Sequence, residues 1–301
     1  MHSKNSRLKP REALNKKVYT VAIGDRMENI MKKFKIGLQL YSVREDIAKD
    51  LIGTLKAVKA AGYDYVESAG VGFYGLNADE AKKVLDEIGL TLISVHSTNL
   101  SDENLSLYQA LGVKNFTIPY YSPDEYKKDL GGSLAYFNEC AEKVQKYGMR
   151  LFYHNHEFEF EDLDGKKIID RVFTETAEDA IAPQFDVCWV TYGGSNPAEY
   201  IRKYAYKNLS MAHLKDFTCK GAVKGAVYEL IENGKVTKSR EENLFLFKPV
   251  GQGVVNFDNV LSAAEDAGIE YLIVEQDRTY DTPALEAVKQ SREFLKNTYG
   301  I

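Results

Sequence analysis

The sequence is poor in the features that would assign it to a specialised class. Among 301 residues there are only three cysteines, Cys140, Cys188 and Cys219, scattered and without CxxC spacing. That usage argues against a disulfide framework or structural zinc site and for a reducing compartment, with each cysteine read as a small buried hydrophobe. No stretch approaches the roughly 20 apolar residues of a membrane helix. No amino-terminal segment joins basic, apolar and small-residue regions as a signal peptide does. The expected location is therefore cytoplasmic, with no membrane partner. Charge of one sign is also scarce: the formal net charge is −5, which gives no general attraction for a phosphate backbone, so nucleic acid is not an expected partner. A GxGxxG motif after the first strand is missing, which removes the main support for an open dinucleotide-binding sheet.

What is present is a repeated unit. From Lys35 onward an amphipathic segment, a glycine and a short apolar strand recur, as in "AGYDYVE" with Gly62 and "IGLTLISVH" with Gly89. "LGVKNFTIP" with Gly112, "YGMRLFYHNH" with Gly148 and "AGIEYLIVE" with Gly268 repeat the pattern. Each glycine supplies the left-handed conformation that stops a helix before a strand. "KIGLQLY", "APQFDV" and "LSMAHL" bring the strands to eight, and helices are expected over 51–61, 78–88, 103–111, 134–147, 168–177, 197–204, 257–267 and 283–296. Eight such units in about 265 residues match an α/β fold of the (β/α)8 TIM barrel type. The expected organisation is an extension over 1–33, polar and basic without a clear period, followed by a single barrel domain over 34–301. Between "AHLKDF" and "GQGVVNF" lie more than thirty residues, read as a hairpin inserted after strand seven with its turn at Asn233 and Gly234.

In such a barrel the active site is built where strands end. Those positions carry Gln39, Tyr41 and Arg44, then Glu67, His96, Tyr120 and Tyr121, all from the first four strands. The later strands supply His154, His156 and Glu157, then Asp186, then His213, Lys215 and Asp216, and finally Glu275, Gln276 and Asp277. Of five histidines only His2 lies elsewhere. Alternation places His154 and His156 on one face of their strand, and only one of them need coordinate. Asp186, His213 and Glu275 come from the next three strands. A mixed histidine and carboxylate set suits one divalent ion, Mn, Co, Mg or Zn, and leaves room for substrate oxygens. Taken singly, a strand-end histidine is more often a hydrogen-bonded pocket residue and an acid a helix cap or solvated group. The four together favour the metal, because burying those carboxylates without a cation is costly. Gly251 and Gly253, in "VGQGVVNF", either present N–H groups to an anion such as phosphate or make a tight turn.

The stretches "KIGLQLYSVRED", "YHNHEFEF", "FDVCWVTYGG", "AHLKDF", "VGQGVVNF" and "LIVEQD" resemble the sugar phosphate isomerase and epimerase family with the xylose isomerase-like barrel. The resemblance implies one divalent metal held by residues ending strands five to eight, which puts Asp186, His213 and Glu275 among the ligands. It departs at strand five, where many members carry a glutamate and this chain has His154. Either His154 replaces that glutamate, which is the reading adopted, or Glu157 or Glu159 does.

The chemistry expected of these residues starts with a metal that polarises the carbonyl of a keto sugar while a base removes the α proton to give an enediolate. His156, Glu157 or Glu275 would be the base, and Lys215 or His96 would stabilise charge or move protons. Gln39, Arg44 and Glu67 are expected to bind substrate, with Tyr41, Tyr120 and Trp189 as an apolar wall against its C–H face. Return of the proton gives an epimerase or isomerase. Loss of a β substituent gives the alternative, a dehydratase or lyase on a keto-inositol or 3-keto-glycoside. A non-catalytic carbohydrate-binding barrel and an apurinic endonuclease are the rivals from other classes. The partner is a small-molecule sugar or derivative, and a homo-oligomer is consistent with the family.

Overall fold

The computed structural model describes residues 34–219, 231–232, 235–236 and 244–301. Eight strands recur along it: β1 (Lys35–Gln39), β2 (Tyr65–Ala69), β3 (Thr91–His96), β4 (Asn115–Ile118), β5 (Arg150–His154), β6 (Ala182–Asp186), β7 (Met211–Leu214) and β8 (Tyr271–Val274). All pair in parallel and close into a barrel in the order β1-β8-β7-β6-β5-β4-β3-β2. The expected (β/α)8 barrel is therefore the observed fold.

The main helices between and after the strands are α1 (Leu51–Ala60), α2 (Ala78–Ile88), α3 (Asp102–Ala110), α4 (Leu130–Gln145), α5 (Ile168–Glu175), α6 (Pro197–Lys203), α7 (Phe257–Asp266) and α8 (Ala284–Tyr299). α2 shows why the pattern was readable: Asn77 and Glu80 form a reciprocal capping box at its start, and Gly89 at φ 78° ends it. α4 begins four residues before its expected start. Its cap is Asp129, whose carboxylate accepts the Gly132 N–H, so Gly131 and Gly132 lie inside the first turn instead of before the helix. Three short α-helices lie outside the expected ones, Arg44–Ile47, Pro123–Lys128 and Val187–Tyr192. So does the hairpin pairing Asp162–Leu163 with Lys166–Lys167, which turns at Asp164 and Gly165, both at positive φ.

After β7 the chain leaves the barrel. Asp216–Thr218 pairs antiparallel with Leu246–Lys248, and Ile231–Glu232 with Lys235–Val236. The two pairs agree with an inserted hairpin, while its expected turn at Asn233 and Gly234 lies outside the described residues. The expected extension over 1–33 also lies outside them.

Strand alternation layers the barrel interior. At its amino-terminal end Ile93, Phe152, Ala182, Met211 and Ile273 form a buried apolar cluster, against which Tyr65 and Tyr271 pack, their two rings edge to face with each other. Two residues further along β2, β5, β6, β7 and β8 come Glu67, His154, Gln184, His213 and Glu275. The apolar floor thus gives way to ionisable chemistry within one step of the pleat. Outside the strands, helix residues such as Leu55 and Val58 of α1 are wholly buried, each contributing ~1.5–3 kcal/mol through burial.

Candidate functional site

Register brings the strand-end groups together. Asp186 on β6 pairs with His213 on β7, His213 pairs with Ile273 on β8, and His154 on β5 pairs with Gln184 on β6. One ligand atom from each of His154, Asp186, His213 and Glu275 lies within 4.8 Å of the others, and all four side chains are buried. His96, His154 and His213 form a second group of this kind that shares two members with the first.

Three observations test whether a divalent ion fits the four-residue group. His154 Nδ1 is buried with no hydrogen-bond partner, a costly arrangement that a ligand would relieve, while the buried Asp186 Oδ2 is met by the Lys215 ammonium at 3.2 Å. The donors are imidazole nitrogens and carboxylate oxygens, which suit a borderline or hard divalent cation. Charge is also out of balance. The Lys215 ammonium lies 2.8 Å from Glu275, 2.9 Å from Asp277 and 3.2 Å from Asp186, while His213 meets Glu67 at 2.7 Å and Glu275 at 2.9 Å. Four carboxylates thus face at most three cations, Lys215, His213 and His96, even with both histidines protonated. A divalent ion offsets that excess.

The same surroundings govern protonation. Burial pushes the Asp186 carboxyl up to about 6 against the pull of Lys215. His213 rises to about 10 because the charges of Glu67 and Glu275 outweigh its burial, and Lys215 is held well above its usual range by Asp186, Asp277 and Glu275 despite its burial. His154 goes the other way: burial, with the nearby charges of His213, His96 and Lys215, keeps it neutral and available as a ligand.

Beneath this group sits Glu67, fully buried. Its Oε1 accepts from Gln39 Nε2 and His213 Nε2, both at 2.7 Å, and its Oε2 accepts from Gln184 Nε2 at 2.7 Å. His96 Nε2 lies 3.0 Å from Oε1 and 2.6 Å from Gln184 Oε1. Burial alone would raise the Glu67 carboxyl; the charges of His96 and His213 drive it well below its usual range.

Above the cluster opens a cavity of about 400 Å³, lined by His96, His154, His156, Lys215, Glu275 and Asp277 and rimmed by Tyr41 and Tyr120. The two tyrosines are 43% and 48% exposed, so their rings are available to a ligand. Arg44 stands behind the rim, its guanidinium 4.0 Å from the Tyr41 ring centroid and donating to the Tyr41 carbonyl at 2.8 Å. Gln39, Glu67 and Trp189 are buried outside the cavity lining. Trp189 stacks on Phe245 and lies under Lys215, whose Nζ is 5.3 Å from its ring.

The loop after β5 is held from below. Glu159, wholly buried, accepts the His156 N–H at 2.8 Å and the Tyr153 hydroxyl through its other oxygen, and burial raises its carboxyl to about 8. This fixes His156 in the cavity wall, where its ring stacks on Phe158. Glu157, half-buried, precedes the 3-10 turn Phe158–Phe160.

Gly251 and Gly253 serve an internal anion. Their N–H groups donate to Asp216 Oδ2 at 3.0 and 2.8 Å, while those of Val255 and Phe217 donate to Oδ1. Asp216 therefore clamps this turn and does not pair with Lys215. Asp277 and Gln184 joined the site without having been singled out for a role. Each lies two residues from a chosen carboxylate, Glu275 or Asp186, so alternation was the signal that pointed to them.

A closed parallel barrel with this cavity at its carboxyl-terminal mouth defines the class. The chain belongs to the xylose isomerase-like TIM barrel family, whose model matches residues 55–298. An inosose dehydratase of Clostridium botulinum is 23% identical over 67% of this chain and 64% of its own length. The chain thus spans just under two thirds of that curated relative. A sugar phosphate isomerase/epimerase from Parabacteroides distasonis superposes with a TM-score of 0.68 at 23% identity, covering 88% of this chain and 94% of that one. An IolI protein with a bound zinc atom gives 0.61 at 16% identity, covering 89% and 98%. These two likenesses establish the fold. Among the described residues no helix is long and apolar enough to cross a membrane.

Proposed function

We propose that the chain is a divalent-metal-dependent isomerase or epimerase that removes the proton α to the carbonyl of a keto sugar or sugar derivative, giving an enediolate. The observation that carries this reading is the buried His154, Asp186, His213 and Glu275 group at the floor of a sugar-sized cavity, with His154 Nδ1 lacking a hydrogen bond. An ion held by these four residues would supply Lewis acidity to the carbonyl.

The chain's own groups do the rest. Glu275 already shares Oε2 with His213 and Lys215, so the base falls to His156 in the cavity wall, with Glu157 beside it as the alternative. Lys215, kept cationic by three carboxylates, stabilises the negative oxygen that develops. His96, also in the lining, moves protons. Tyr41 and Tyr120 at the rim cover the C–H face of the substrate and exclude water.

The test is exchange of the α hydrogen of free ketoses with solvent deuterium, in wild type and in His156→Asn. Exchange in wild type, lost in the variant while metal binding persists, supports the reading. Exchange undiminished in the variant moves the base to Glu157, and no exchange with any ketose in a panel defeats the proposal.

A lyase reading is favoured by the inosose dehydratases among the curated relatives. It uses the same proton abstraction and then expels the β substituent, which leaves as water from a keto-inositol and as the aglycone alcohol from a 3-keto-glycoside. A product lighter by one water from a keto-inositol, or by the aglycone alcohol from a 3-keto-glycoside, in the mass spectrum would select it over isomerisation.

A further inference from the structure

Both ring nitrogens of His213 meet carboxylates, and the two carboxylates are not equivalent. Nδ1 lies 2.9 Å from Glu275 Oε2, on the side of Lys215, Asp186 and His154. Nε2 lies 2.7 Å from Glu67 Oε1, an oxygen that His96 Nε2 also approaches at 3.0 Å. Glu67 is not among the four residues whose ligand atoms converge, and its oxygens are already taken up by donors. Its donors are anchored in turn. Gln39 accepts the Tyr41 N–H at 3.0 Å, which fixes its amide with Nε2 toward Glu67, and Gln184 accepts from His96 Nε2 at 2.6 Å, which fixes its amide likewise. The Glu67 carboxylate is thus held at both oxygens and has no freedom to turn toward an ion.

A histidine that binds a metal must be neutral and must present one lone pair, and the hydrogen bond made by its other nitrogen decides which. We infer that Glu67 is a positioning residue: by accepting the Nε2–H of His213 it fixes the tautomer in which Nδ1 faces the metal position. By its place at the end of β2, Glu67 is expected among the substrate-binding residues. Its complete burial and four polar partners assign it instead to the layer that orients the ligands. The inference rests on the metal reading of the site given above. A purely structural role would account for the burial and for the bonds to Gln39 and Gln184, but would leave ion affinity and ligand field untouched.

The experiment is titration of cobalt(II) into metal-stripped wild type, Glu67→Gln and Glu67→Asp, followed by calorimetry and by the visible absorption of the bound ion. Circular dichroism checks the fold of each. The imidazole 15N spectrum of zinc-loaded wild type is read beside it, with His213 assigned by its absence in His213→Gln. Glu67→Gln is expected to weaken cobalt binding about 10- to 100-fold and to shift the absorption bands, with Glu67→Asp, which keeps the charge, losing less. The wild-type spectrum is expected to show Nε2 protonated and Nδ1 shifted by the metal. Equal affinity and identical bands in Glu67→Gln, or a metal on Nε2, overturn the inference and leave the proposed function standing. If Glu67→Gln does not fold, the wild-type nitrogen spectrum decides alone. A wild-type chain that takes up neither ion overturns both.

Discussion

The Lys215 ammonium and the Glu275 carboxylate meet at 2.8 Å with 1% and 5% of their side chains exposed, and the same Glu275 oxygen lies 2.9 Å from His213 Nδ1. Lys215 thereby holds together three carboxylates, Asp186, Glu275 and Asp277, that would otherwise repel one another in a low-dielectric interior. Lys215→Met is expected to cost the metal-stripped protein about 3–5 kcal/mol, because a buried charge network loses one sign. Urea unfolding in the presence of a chelator measures this. Added manganese should raise the midpoint of the variant more than that of wild type; a stability equal to wild type would mean the carboxylates are balanced some other way.

Glu159 provides a pH dependence whose sign is fixed. Its carboxyl titrates at about 8 in the folded chain, raised by burial from an ordinary 4.5. The folded state therefore holds a proton over that interval that the unfolded state has released. The contribution is fully present below about 4.5 and is lost as pH rises through about 8. Glu159→Gln keeps a donor and an acceptor for Tyr153 and the His156 N–H and has nothing to ionise. Urea midpoints from pH 5 to 9 should fall in wild type and stay flatter in the variant.

Gly253 is where a single methyl group should do most damage outside the His154, Asp186, His213 and Glu275 group. A Cβ there would stand 2.2 Å from Asp216 Oδ1 and 2.3 Å from the Phe217 carbonyl oxygen. Gly253→Ala is expected to destabilise by about 1–3 kcal/mol, visible as a lower melting temperature. An unchanged melting temperature would show that the clamp on this turn yields easily.

The Asp216 clamp also bears on substrate choice. The N–H groups of Gly251 and Gly253, whose sequence context also fits a phosphate site, are satisfied by a carboxylate of the chain itself. A phosphate ester gains no grip at this turn. Its kcat/KM is predicted not to exceed that of the free ketose, a comparison made with matched substrate pairs.

These expectations separate what the sequence makes legible from what it does not. Gly62, Gly89, Gly112, Gly148 and Gly268 mark helix-to-strand joints through local backbone chemistry, so the barrel could be read from one chain. His154, Asp186, His213 and Glu275 stood out because eight strands in sequence order must place consecutive strand ends side by side. The partners of Glu67 were harder. That Gln184 reaches across to Glu67 and His96 depends on closure of the barrel, a relation between residues 117 and 88 positions apart. The hairpin at Asp164 and Gly165 carried a local signal, since Asp-Gly is a favoured turn pair, but the two-residue strands around it have no periodicity to read.

The most direct test of the account is the metal content of purified wild type beside His154→Ala, Asp186→Ala and His213→Ala, each shown by circular dichroism to remain folded. The account predicts about one divalent ion per chain in wild type and loss of that ion in all three variants. A wild-type chain that binds no Mn, Co, Mg or Zn on reconstitution, or variants that bind as well as wild type, would contradict it.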